Sequence, residues 1–126
     1  MLRGCFEGRV WLVSKAGPKI QQMTLLWLAE HRFRTLTGVP IQNVRFCRER
    51  AEKRDHAVRL GLTHFIDDRS DVLRHLVGVV PKLYLFGHQK GDVPLWAKHV
   101  ADWSATRAAI LQDLGQRISD GNEKVR

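Results

Sequence analysis

The sequence lacks any apolar run near the roughly 18 residues that a membrane span requires, and its 126 residues begin MLRGCFEGRV, without the apolar centre of a signal peptide. Two cysteines, Cys5 and Cys47, are too few for a disulfide framework. These absences argue against a secreted, disulfide-stapled or membrane-spanning chain, and cytoplasmic residence with no membrane partner is the expectation. No internal repeat and no linker rich in Gly, Ser or Pro marks a second domain.

A chain with 44% apolar and 27% charged residues has a globular composition. Its length suits one domain able to bury a core without staples. One domain is expected over residues 1–114. Residues 115–126 lose apolar periodicity and are expected to form a frayed C-terminal tail.

Charge is unevenly placed. Residues 1–60 hold 12 Lys or Arg against 5 Asp or Glu, and residues 61–126 hold 9 against 8. The densest stretch is Arg45, Arg48, Arg50, Lys53 and Arg54. It suits a phosphorylated small molecule or nucleic acid bound without sequence preference. A solvated helix face with Glu49 and Glu52 interleaved is the alternative. No aromatic residue lies between Arg48 and Arg59 to stack on bases.

Apolar periodicity alternates between short runs and helical stripes. Val10 to Val13 predicts a strand ending at Ser14. Pro18 opens a helix to about His31, with Ile20, Met23, Trp27 and Ala29 or Glu30 as its core stripe and Leu25, Leu26 and Leu28 widening it. Residues 34–42 read as a loop, 43–47 as a strand and 49–60 as a basic helix closed by Gly61. THFI at 63–66 is a third strand, Ser70 caps a helix over 71–79, and KLYLF at 82–86 is a fourth strand. Trp96, Val100, Trp103, Ile110 and Leu114 trace the core face of a last helix. Strands separated by helices predict an α/β fold, a three-layer, Rossmann-like parallel sheet. Strands apolar on both faces agree with it.

In such sheets ligands meet the C-terminal strand ends. Ser14 sits there, before a Gly-Pro turn whose backbone N–H groups suit an anion; a simple turn role is equally served by the same residue. Asp67 and Asp68 follow the third strand, with Asp71 one turn later. Adjacent carboxylates repel, so a divalent cation, Mg²⁺ with phosphate oxygens, is a natural reason to hold them together; an exposed capping turn is the bland alternative. Lys53, fourteen residues before Asp67, can neutralise a phosphate or a carboxylate.

The ordered set of strand-Ser, helix-Lys and strand-Asp-Asp resembles the haloacid dehalogenase-like (HAD-like) hydrolases over residues 9–88. THFIDDRSDVL is the most specific stretch. The resemblance implies that Ser14 binds a phosphoryl oxygen and that Lys53 offsets its charge and orients the nucleophile. Asp67 or Asp68 would hold Mg²⁺, directly or through water, and Asp71 would support that site or only the turn. It implies phosphate-ester hydrolysis through an aspartyl-phosphate. The sequence departs from the pattern where the chemistry begins. Thirteen residues precede Ser14 and none is Asp, so the Asp-x-Asp strand that supplies nucleophile, acid/base and metal ligand is missing.

The expectation is therefore an incomplete HAD-like core lacking its central strand, a truncated or degenerate phosphohydrolase domain with Mg²⁺ binding weak or lost and no turnover of its own. The alternative is a non-catalytic phosphate, nucleotide or nucleic-acid binding module. A missing central strand leaves about two inter-strand spacings, roughly 10 Å, to be closed. The bordering strands can pair directly, or a homo-oligomer or a strand-donating partner can fill the slot.

Overall fold

The computed structural model describes Phe6 and residues 9–125, with side chains described except at positions 33, 36 and 116–125. The chain is α/β and every strand pairing is parallel. The strands form two sheets, β1–β2 and β3–β4–β5, where one sheet was expected.

Strand β1 spans Leu12–Lys15. It begins two residues later than the apolar run suggests, because its register is set by β2, Val44–Cys47, with Leu12 opposite Val44 and Lys15 opposite Cys47. Ser14 consequently lies within the strand rather than at its end. Helix α1, Pro18–Glu30, starts with Pro18 as its first residue, where the missing N–H is harmless. Where a loop was expected, a short helix α2, Phe33–Thr37, forms. It is closed by Gly38 at φ 75°, a left-handed position that glycine takes without strain. A 3-10 turn at Ile41–Asn43 leads into β2.

Helix α3, Glu52–Leu60, ends as expected at Gly61. Its φ of 63° lets the Leu62 N–H donate to the Ala57 carbonyl. Strand β3 is His64–Asp67 and α4 is Ser70–Arg74, shorter than the predicted helix. Ser70 does not cap α4. It is already helical, Arg69 is the cap residue, and no side chain bonds the cap. Strand β4, Lys82–Phe86, has the predicted bounds.

The last third departs furthest from the sequence reading. Val100 belongs to a strand, β5, Lys98–Val100, and α5 begins only at Trp103. Asp102 fixes that start, its carboxylate accepting the Ala105 N–H at 2.8 Å. Trp96 and Trp103 are 38% and 57% exposed, not core. The stretch 115–126, expected as a frayed tail, carries the α5 backbone to Val125, and Arg126 lies outside the described residues.

Both faces of the β3–β4–β5 sheet are covered. Phe65, Leu83 and Leu85 pack with Ala57 of α3, Leu73, Leu76 and Val80 on one side. Tyr84 and Val100 pack with Ala109 and Ile110 of α5 on the other. Val13 of β1 packs against the first cluster. The two sheets do not pair, so direct closure of β1 on β3 is not the arrangement found. Helix α1 reverses its expected orientation. Ile20, Met23, Leu26 and Trp27 are 51%, 55%, 64% and 56% exposed, while Leu28 is buried.

Candidate functional site at the strand ends

Lys53 and Ala57 are one helical turn apart on the buried face of α3. Ala57 packs in the core. Lys53 reaches to the end of β3, where its Nζ donates to Asp67 Oδ2 at 2.9 Å. Both side chains are nearly enclosed, 11% and 8% exposed. An isolated charge there would carry a heavy desolvation cost, and the partner offsets it. The second carboxylate oxygen, Oδ1, accepts the Arg69 N–H at 3.0 Å. Burial pushes the Asp67 carboxyl above the usual carboxylate range; Lys53 and the Arg69 N–H pull it back only in part, and Asp68 adds to the rise.

Asp68 leads away from β3. Its carbonyl accepts a hydrogen bond from Gln89 Nε2 at 3.1 Å, and the same amide nitrogen donates to the Phe86 carbonyl at 3.0 Å. Gln89 thereby ties the loop after β4 to the loop after β3. Asp71, in the first turn of α4, faces Arg69 at 3.3 Å and Arg50 at 3.6 Å. Slight burial pushes its carboxyl up, but the two guanidinium groups outweigh this and hold it below its usual value.

Ser14 is half-buried on β1, opposite Phe46, and its carbonyl accepts a weak bond from Cys47 Sγ at 3.8 Å. Cys47 is buried at the end of β2. Burial raises its thiol above its usual value; Lys53 and Lys15 act to lower it, Glu52 and Asp67 to raise it further. The Cys47 thiol thus feels charges at the ends of both β1 and β3, Lys15 and Asp67, although these strands belong to different sheets. The structure brings Lys53, Asp67 and Asp68 together, sets Asp71 against two arginines, and gives Ser14 a link to the group only through Cys47.

The basic stretch does not form one face. Lys53 turns inward, Arg50 faces Asp71, and Arg54 donates to the His75 carbonyl at 3.1 Å. Sequence reasoning missed Arg69, Gln89 and Cys47 as members of the group. Arg69 lies inside DDRSD and could have been noticed; Gln89 has no local signal, because only the neighbouring strand gives it a role.

Mg²⁺ takes carboxylate oxygens that can face it. Asp67 engages both of its oxygens within the protein, and Asp71 is held by guanidinium groups. Among the described residues no group of three or more His, Cys, Asp or Glu could hold a metal ion. The donor set does not fit a tightly held Mg²⁺.

No family model, no curated protein and no solved structure matches this chain. Among the described residues no helix is long and apolar enough to cross a membrane.

Proposed function

We propose that this chain is a nucleophile-free domain of HAD-like type that binds phosphorylated small molecules at its C-terminal strand ends and does not hydrolyse them. The observation that carries this reading is the buried Lys53–Asp67 pair. It joins the helix-Lys to the strand-Asp in the order that the resemblance requires. The ammonium retains N–H groups beyond the one given to Asp67, and Arg69 and Arg50 flank the same edge, so an oxyanion finds several donors.

Hydrolysis through a covalent intermediate needs an oxygen nucleophile placed in line with the leaving group. Asp67 is committed to Lys53 and Arg69, and the sequence contains no Asp-x-Asp. Charge stabilisation without a positioned nucleophile leaves only water to attack. The division of the basic stretch gives less support to a nucleic-acid platform; polyanion binding through it is loose and steeply salt-dependent.

The test is titration with inorganic phosphate and an aryl phosphate, followed by amide NMR, with phosphate release assayed in parallel with and without Mg²⁺. Saturable shifts at Lys53, Asp68 and Arg69 without turnover are expected. Turnover that survives re-purification and disappears in Asp68→Asn overturns the reading, as does the absence of any shift at these residues.

A further inference from the structure

At 3.6 residues per turn, Ile20, Met23, Leu26, Trp27 and Glu30 share about one third of the circumference of α1. Gln21, Thr24, Leu25 and Leu28 occupy the side turned to the rest of the molecule. The outward stripe is therefore more apolar than part of the inward one. Four large exposed apolar side chains on one helix face form a contiguous patch of the kind that marks an interaction surface. Trp27 is held in place: its ring stacks on His31 with centroids 4.0 Å apart, and His31 Nδ1 bonds the Trp27 carbonyl at 2.8 Å. A fixed aromatic amid aliphatic neighbours is the usual make-up of a binding hot spot.

The rim of the patch is basic. Lys15 and Lys19 are exposed at one end, Arg32 and Arg34 at the other. Residues 1–60 carry a net +7. Two copies meeting through α1 would oppose like charges, which argues against self-association. Glu30 lies on the stripe itself, between the columns of Met23 and Leu26, and an anionic bilayer would repel it. A protein partner can set one basic residue against Glu30 and acids against the rim. The stripe is a ridge of one helix, with the i, i+3, i+7 spacing that another helix packs against.

We infer that the outward face of α1 docks an acidic amphipathic helix of a partner protein, through Ile20, Met23, Leu26 and Trp27 with Lys15, Lys19, Arg32 and Arg34 as its charged rim. Apart from Lys15, which also ends β1, the surface shares no residue with the strand-end group, and the inference does not depend on the phosphate-binding reading.

The probe is a labelled helical peptide of about 20 residues with Leu at i, i+3 and i+7 and mostly Glu elsewhere. It is titrated with the full chain by fluorescence anisotropy. A peptide with Lys in place of Glu, vesicles of phosphatidylcholine with phosphatidylserine, and sedimentation of the chain alone are run beside it. Saturable binding of the acidic peptide is expected, weakened about tenfold or more in Trp27→Gln and in Met23→Gln. Val58→Gln, an exposed apolar position on α3, leaves it unchanged. The mutated positions are exposed, so each variant keeps the parent melting midpoint, which is measured first. Four results overturn the inference: no saturable binding of the acidic peptide; equal binding of the Lys peptide; equal binding by the Trp27 and Met23 variants; or vesicle binding or dimer formation, without peptide binding, that those substitutions abolish.

Discussion

The two sheets of this molecule are built to different standards. The β3–β4–β5 sheet has both faces covered, and the largest fully buried side chains, from Val72 to Ile110, all belong to its half of the chain. The β1–β2 sheet has two strands and an exposed Leu12, and the helix that follows β1 turns most of its larger apolar residues outward. Charge divides along the same line, +7 before residue 61 and +1 after it. A two-stranded sheet is marginal alone, so the first half depends on what it leans against. Within this chain that support includes Val13 and Ala57 on the core of the other sheet, and the Lys53–Asp67 pair that binds α3 to β3.

The sharpest way to break the comparison is to cut that link. Lys53→Met leaves Asp67 buried beside an apolar group, and removal of one partner of a buried pair costs about 3–5 kcal/mol. Chemical denaturation should show this loss. The double variant Lys53→Met with Asp67→Leu should recover most of it, because a buried pair exchanged for apolar residues is often neutral. If the double variant is as unstable as the single one, the pair serves something other than mutual neutralisation.

Next in size is a matched pair of leucines. Leu76 is fully buried and Leu26 is mostly exposed. Leu76→Ala should lower stability by about 2–5 kcal/mol through lost burial and the cavity left behind. Leu26→Ala should change it by no more than about 0.5 kcal/mol. Equal losses would mean that α1 packs inward in solution.

The legible parts of the fold are those decided locally. Gly61 closed α3 because a left-handed cap needs little beyond itself, and β4 is an apolar run covered on both faces, as its residues suggest. The strand-end Lys and Asp could be set together in prospect only through the motif order that the resemblance supplies, since Lys53 taken alone is one of many basic residues on its helix. What failed was set by distant partners. Val100 fits the period of the following helix, yet it pairs with Phe86 on β4, and Asp102 delays the helix by its own cap. The stripe of Ile20, Met23 and Trp27 has correct helical spacing, but spacing alone cannot say which side of a helix the sheet takes. The tryptophans misled for the same reason. Trp103 rests against Phe86, with centroids 4.8 Å apart, and remains exposed.

A smaller effect tests the better-built half. Tyr84 is fully buried, and its hydroxyl donates to Asp113 Oδ2 at 2.5 Å. Burial and the Asp113 carboxylate both push the phenol well above its usual value, so it stays neutral and keeps donating through the alkaline range. Tyr84→Phe removes one hydrogen bond to a charged group, worth about 1.5–3 kcal/mol. Thermal melts at neutral pH check this, and an unchanged midpoint would show that water replaces the phenol.

The finest comparison sets the two carboxylates that flank one loop, Asp67 and Asp71, against each other by the sign of their pH response. Asp67 is raised by burial, so it holds its proton more readily folded than unfolded. Its contribution to stability is present below the unfolded value, about 3.9, and is lost as pH rises through the folded value. Asp71 is lowered by Arg69 and Arg50. Its contribution is present above the unfolded value and is lost as pH falls through the folded one. Relative to Asp67→Asn, the wild type should therefore lose stability as pH rises from about 4. Relative to Asp71→Asn, it should lose stability as pH falls below about 4. The Asp71 effect is the smaller, because its ion pairs are largely exposed and solvent screens them. At low salt it should not exceed about 1 kcal/mol, and near 0.5 M salt, where the screening length is only about 4 Å, it should shrink further. The Asp67 difference should persist in salt, because its pair is enclosed. Carboxyl carbon chemical shifts followed through the acid range give both titrations directly. If Asp67 titrates below Asp71, Lys53 outweighs burial, and the order argued for this loop is reversed.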